Sequence, residues 1–168
     1  MAHIETSFKD FLVGQIWGFP VQMAWATAFA FVAWLILNRH AFGAHVYYVG
    51  NNEISARLMG IDVDKVKIIT FAMVGLGGAI SGVMATLINR TFYATLGEAY
   101  LLPVLAMIFV GGNPPKGGVG TIFGVLMGSL VIGIIDSGLI AAGLVGFWTK
   151  VFYGLVIVLS IISFRFLR

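Results

Sequence analysis

Between Pro20 and Leu37 the chain runs for eighteen residues, PVQMAWATAFAFVAWLIL, without one charged side chain. At 1.5 Å per residue a helix of that length is about 27 Å long, close to the thickness of a bilayer's hydrocarbon core. Backbone in lipid must satisfy its N–H and C=O groups internally, so such a run commits its segment to a helix. The pattern recurs at residues 68–89 (IITFAMVGLGGAISGVMATLIN) and 121–143 (TIFGVLMGSLVIGIIDSGLIAAG). A tight turn near Gly143 and Gly146 then leads into a last span, FWTKVFYGLVIVLSIISF. Residues 99–112, AYLLPVLAMIFVGG, are apolar but shorter and carry Pro103. They predict a short or broken helix that crosses or re-enters where protein covers its backbone. The glycine-broken lead-in at 11–19, with Trp17 placed as an interfacial anchor, is not expected to span. The expectation is an all-α polytopic transmembrane bundle of about five membrane segments, one of them short or broken, forming a single domain over residues 1–168.

Composition excludes several other classes. Only 10% of residues are charged and 60% are hydrophobic, whereas about a quarter of a soluble domain is charged. Cysteine is absent, which rules out disulfides and thiolate metal sites. His3, His40 and His45 stand near polar ends with no carboxylate or serine at motif spacing, so no metal site, cofactor site or catalytic constellation is expected and the chain is not read as an enzyme. The start, MAHIETSFKD, has neither a basic n-region nor a small-residue cleavage site and is not read as a secretory signal. The turn GGNPPKGGVG at 111–120 lacks the order of a phosphate-binding loop. The basic residues flank the apolar runs. Arg39, Arg57, Lys65 and Lys67 fall on one side of the first span, against Lys9 and Arg90 on the other, so residues 38–67 are expected in the cytoplasm. If 99–112 crosses, Lys116, Arg165 and Arg168 join them there.

Two features lie inside the spans. Among twenty-two glycines, Gly78 and Gly82 share a GxxxG spacing and Gly124 and Gly128 repeat it, marking faces on which helix backbones can approach closely. Asp136 and Lys150 each stand seven residues from Gly143, so antiparallel neighbours carry them at matched depth. A mutual ion pair is the first reading. The second places Asp136 on a substrate path while Lys150 snorkels outward.

The one long polar interval, VGNNEISARLMGIDVDKVK at 49–67, holds Glu53, Arg57, Asp62, Asp64, Lys65 and Lys67. Asn51 or Asn52 can cap a short helix with Glu53 in its first turn. Ile54, Leu58 and Ile61 follow the helical period, and Gly60 falls where the helix should end. Glu53 and Arg57, four apart, can pair on its surface. So short an amphipathic helix cannot bury its own stripe and must lie on a membrane or dock on a protein.

The run from Asn38 to Gly82 resembles the central segment of permease subunits of bacterial ABC importers for simple sugars, the ribose-type family. Matching positions are Asn38, Arg39, Phe42, Gly43, Gly50, Asn52, Glu53, Ala56, Arg57, Gly60, Ile61, Val63 and Lys67. Downstream, Gly111, Gly112, Gly117, Gly118, Gly120 and Gly124 resemble the family's glycine-rich loop and following helix, although Asn113, Pro114 and Pro115 stand where members carry a Thr-Ser-rich stretch. The similarity covers roughly residues 12–165 and the C-terminal half of such a permease, as a fragment, a truncated product or half of a split subunit would. The resemblance implies a multi-pass permease of the bacterial inner membrane for a monosaccharide or related small sugar. Its partners would be a second permease subunit, a periplasmic or lipid-anchored sugar-binding protein and a cytoplasmic ABC ATPase. The ATPase, not this chain, would hold ATP and magnesium. Asn52, Glu53, Ala56, Arg57, Gly60 and Ile61 would form the cytoplasmic coupling helix that fits the ATPase. The alternatives are a non-transporting membrane anchor or scaffold subunit using the same polar loop, and an inactive permease fragment.

Overall fold

The computed structural model describes residues 12, 14–16, 19–89, 95, 97–144 and 146–166. His3, Lys9, Trp17, Arg90 and Arg168, singled out above, lie outside them.

Two two-residue strands, β1 (Gln15–Ile16) and β2 (Phe19–Pro20), pair antiparallel ahead of the first helix. Extended Pro20 precedes helix α1, Val21–Arg39, as suits a residue that fixes φ and lacks an N–H. The next helix, α2, Ala41–Asn51, is not foreseen above. Its glycines lower helix propensity by about 1 kcal/mol each relative to alanine. They are tolerated because the backbone passes close by: a Cβ on buried Gly43 would collide with the Leu37 carbonyl at the end of α1. The short helix α3, Glu53–Leu58, follows.

Helix α4, Val63–Asn89, has 27 residues and starts five residues before the span expected at 68–89. Asp62 is the reason: its Oδ1 accepts the Lys65 N–H at 3.1 Å while its carbonyl accepts the Val66 N–H at 3.1 Å. That cap opens the helix in the polar residues ahead of the apolar run.

After a 3₁₀ turn at Glu98–Tyr100 comes α5, Leu101–Val110. It is short but unbroken. Pro103 lies in its first turn, where N–H groups have no intrahelical partner to lose. Its end closes with the Gly112 N–H on the Phe109 carbonyl at 3.1 Å and the Asn113 N–H on the Ile108 carbonyl at 3.2 Å, the paired bonds of a Schellman cap. Helices α6, Ile122–Ala141, and α7, Phe147–Phe166, complete the chain.

Among the described residues α1, α4, α6 and α7 are long and apolar enough to cross a membrane, and the apolar helix at Glu98–Val110 is shorter. The chain divides into two compact units, Met1–Val46 with Ala56–Leu96, and Tyr47–Ser55 with Gly97–Arg168. In the second unit α5 packs on α6 and α7 around buried Ala106, Ile132 and Tyr153, with Leu102, Met107, Val110, Ile135, Val156 and Ile157 against them.

Candidate functional site

The polar interval folds into a capped helix, a tight end and a second capped helix. Asn52 Oδ1 accepts the Ser55 N–H at 3.0 Å, opening α3 with Glu53 in its first turn. The end is made by Gly60, with φ of +82°, a conformation in which glycine pays no Cβ penalty. There the Gly60 N–H reaches the Arg57 carbonyl at 3.0 Å and the Ile61 N–H the Ala56 carbonyl at 3.1 Å.

What α3 buries is its smallest side chain. Ala56 is fully buried, whereas Ile54 is 72% and Leu58 85% exposed. Met59, beside them, is also exposed. The apolar side of α3 therefore stands open, flanked by charge. Arg57 donates from Nη1 and Nη2 to the two carboxylate oxygens of Asp64 at 3.3 and 3.0 Å. This forked pair ties the second half of α3 to the first turn of α4. Asp64 was not singled out from the sequence, because a partner seven residues away is reached only through the turn. Beside it, Lys65 Nζ pairs with Asp62 Oδ2 at 2.9 Å, and that ammonium, together with the Lys65 N–H, holds the Asp62 carboxyl below its ordinary range.

The first half of α3 follows directly on α2, whose end is set against the glycine-rich loop. Tyr47 Oη donates to the Gly120 carbonyl at 2.7 Å. Next to it the backbones nearly touch: a Cβ on Gly50 would lie 2.8 Å from the Gly118 nitrogen, and one on Gly118 would lie 2.7 Å from the Asn51 Cα. Gly118 also has a φ of +76°, so this contact is open to glycine and closed to other residues. The loop is braced from within by Asn113, whose Oδ1 accepts the Thr121 N–H at 3.2 Å, and Thr121 Oγ1 in turn caps α6 by accepting the Gly124 N–H at 3.0 Å. Tyr47 is a site residue that the sequence reading missed. No periodicity marks a hydroxyl whose partner is a carbonyl 73 positions away.

Of the four packing glycines, two lie at close contacts within this chain. A Cβ on Gly124 would collide with the Gly111 carbonyl, and one on Gly128 with the Met107 carbonyl, both at the α5 end of α6. A Cβ on Gly78 or Gly82 would meet nothing within 4 Å. The close approach expected there is absent from the described residues.

The expected ion pair is absent as well. Asp136 Oδ1 accepts the Tyr153 hydroxyl at 2.7 Å, while Lys150 is exposed and makes no ion pair with Asp136 among the described residues. Equal depth is only half the geometry. Lys150 and Tyr153 lie three residues apart on α7, which separates their directions by about 60°, and the helix rotation turns the tyrosine toward α6. Among the described residues no cluster of histidine and acidic groups could hold a metal ion.

Residues 1–161 match the model of a protein family described as branched-chain amino acid transport system, permease component. The ribose import permease protein of Bacillus subtilis is 33% identical over 94% of this chain and 49% of its own length. A probable ABC transporter permease protein of Escherichia coli is 34% identical over 95% of this chain and 48% of its own. The xylose transport system permease protein of Haemophilus influenzae is 31% identical over 90% of this chain and 40% of its own. The chain thus spans about half the length of the curated relatives it matches. No solved structure matches it.

Proposed function

The chain belongs to the family of permease components of branched-chain amino acid transport systems, and from that membership we propose that it is a membrane component of an ATP-driven importer for a monosaccharide or related small sugar. The observation that carries this reading is the similarity, at 31–33% identity and over nine-tenths of the chain, to proteins named as ribose and xylose permeases. In this reading the chain is a transporter component and not an enzyme. It sits in the bacterial inner membrane with a second permease part, and a sugar-binding protein delivers cargo from outside. A cytoplasmic ATPase holds the ATP and magnesium.

The open apolar side of α3 supports the ATPase-docking part. Ile54, Leu58 and Met59 are exposed where charged neighbours keep the surface wet, and a small apolar knob of this kind gains by entering a partner's groove. Helix α3 is tied to α4 by the Arg57–Asp64 fork, and α2, which leads into it, is tied to the loop ahead of α6 by Tyr47 and Gly50.

The test is uptake in the chain's own host. Deleting the chain is expected to abolish ATP-dependent accumulation of radiolabelled ribose or xylose. The wild-type chain should restore it, whereas Leu58→Asp, inserted to the same level, should not. Accumulation of both sugars that survives the deletion removes the reading. Restoration by Leu58→Asp removes α3 as the ATPase contact.

A further inference from the structure

Asp136 lies in α6 one turn beyond buried Ile132 and next to Ile135, on the part of the helix that meets α5 and α7. Its Oδ1 takes one hydrogen bond, from a Tyr153 that is itself only 6% exposed. A carboxylate offers about four acceptor positions, and among the described residues Asp136 has no second hydrogen bond and no ion pair. Its remaining oxygen is not sealed in apolar packing either, since the residue is half-buried and, among the described residues, no buried side-chain oxygen or nitrogen lacks a partner. An acid within a span is costly, and it is kept where it faces protein or a water-filled route. The phenol holds the carboxylate in one orientation and leaves Oδ2 open.

We propose that Oδ2 of Asp136 is a hydroxyl-accepting point on the cargo route, suited to an uncharged polyhydroxylated molecule, with Tyr153 as its positioning residue. The assignment rests on the sugar-importer reading and adds to it the chain's own contact with cargo. Neighbouring hydroxyls of a monosaccharide can donate to one carboxylate edge together.

The chain contains no cysteine, so in Asp136→Cys the introduced thiol is the only one. Its labelling by a small water-soluble thiol reagent is measured in host membranes, with and without ribose, xylose or leucine at concentrations far above the KM measured for Asp136→Asn, so that the route is occupied even without the carboxylate. The expected result is labelling slowed several-fold by ribose or xylose and unaffected by leucine, while Ile134→Cys, on an exposed apolar position of the same helix, stays unlabelled. In uptake, Asp136→Asn should raise KM for the sugar roughly 10- to 100-fold, the loss of one hydrogen bond to a charged group, with kcat changed far less. Tyr153→Phe should raise KM a few-fold. Absent labelling, labelling indifferent to both sugars, protection by leucine alone, or an unchanged KM in Asp136→Asn each overturns the assignment. Wild-type membranes that take up neither sugar defeat the importer reading and the assignment with it. Wild-type uptake with an unprotected Asp136→Cys defeats the assignment alone.

Discussion

In α6, a Cβ on Gly128 would run into the Met107 carbonyl and one on Gly124 into the Gly111 carbonyl, whereas in α4 a Cβ on Gly75, Gly77, Gly78 or Gly82 would find no atom within 4 Å. Both helices are of membrane length, strongly apolar and studded with glycine at similar spacing. In α6 the missing side chains let the backbone of α5 approach, and the contact is already made. In α4 the same spacing is left open within its own compact unit. Small residues at four-residue intervals therefore say that a helix can be approached closely, not that its own chain approaches it.

The sharpest way to break this contrast is to fill each gap with the same side chain. Gly128→Leu should cost about 1–3 kcal/mol or more, since the added atoms overlap backbone that cannot rotate aside. Gly78→Leu should change the stability of the purified chain by less than about 0.5 kcal/mol, helped by leucine's better helix propensity. Thermal unfolding in detergent reads both. Equal losses would mean that α4 has a close neighbour after all.

A second pair carries the contrast into the connections. Gly118 combines a positive φ with near contact to Asn51, while Gly60 has the positive φ and open space around it. Gly118→Ala should therefore lose about 2–3 kcal/mol, and Gly60→Ala about 1 kcal/mol, the conformational penalty alone. If the two alanines cost the same in that unfolding assay, crowding at the loop contributes nothing.

Within the α6–α7 pair, Tyr153→Phe should cost about 0.5–1.5 kcal/mol for the hydrogen bond to Asp136. Lys150→Met should be neutral or slightly stabilising, because an exposed lysine without that partner gives up no pair. Should Lys150→Met prove the more damaging, the lysine holds Asp136 and the tyrosine does not.

The smallest effect concerns the start of α4. The Lys65 ammonium and N–H bonded to Asp62 hold its carboxyl below its ordinary value of 3.8. A group with a lowered folded value stabilises above its unfolded value, and that contribution disappears as pH falls through the folded one. Stability should therefore dip slightly below about pH 3.8 in the wild type. In Asp62→Asn, which keeps a capping oxygen without the charge, the dip should vanish. An unchanged acid profile would show that the pair with Lys65 does not persist in solution.

The sequence by itself determined whatever depends on a residue and its near neighbours. Uncharged runs specify spans because lipid offers the backbone no other partner. Asn52 and Gly60 mark the ends of α3 because capping and positive φ are local events. Even where local reading fell short, at Asp62 and Pro103, the missing reason was a capping or first-turn effect within four residues. The tertiary structure alone decided which faces meet. Helix rotation set Tyr153 rather than Lys150 on Asp136, and chain reversal at Gly60 brought Asp64 to Arg57. The packing of α5 on α6 separated the occupied glycines at 124 and 128 from the open ones at 78 and 82. Depth, period and composition are properties of one segment, but rotation is fixed only when two segments pack, and no spacing within either one contains it.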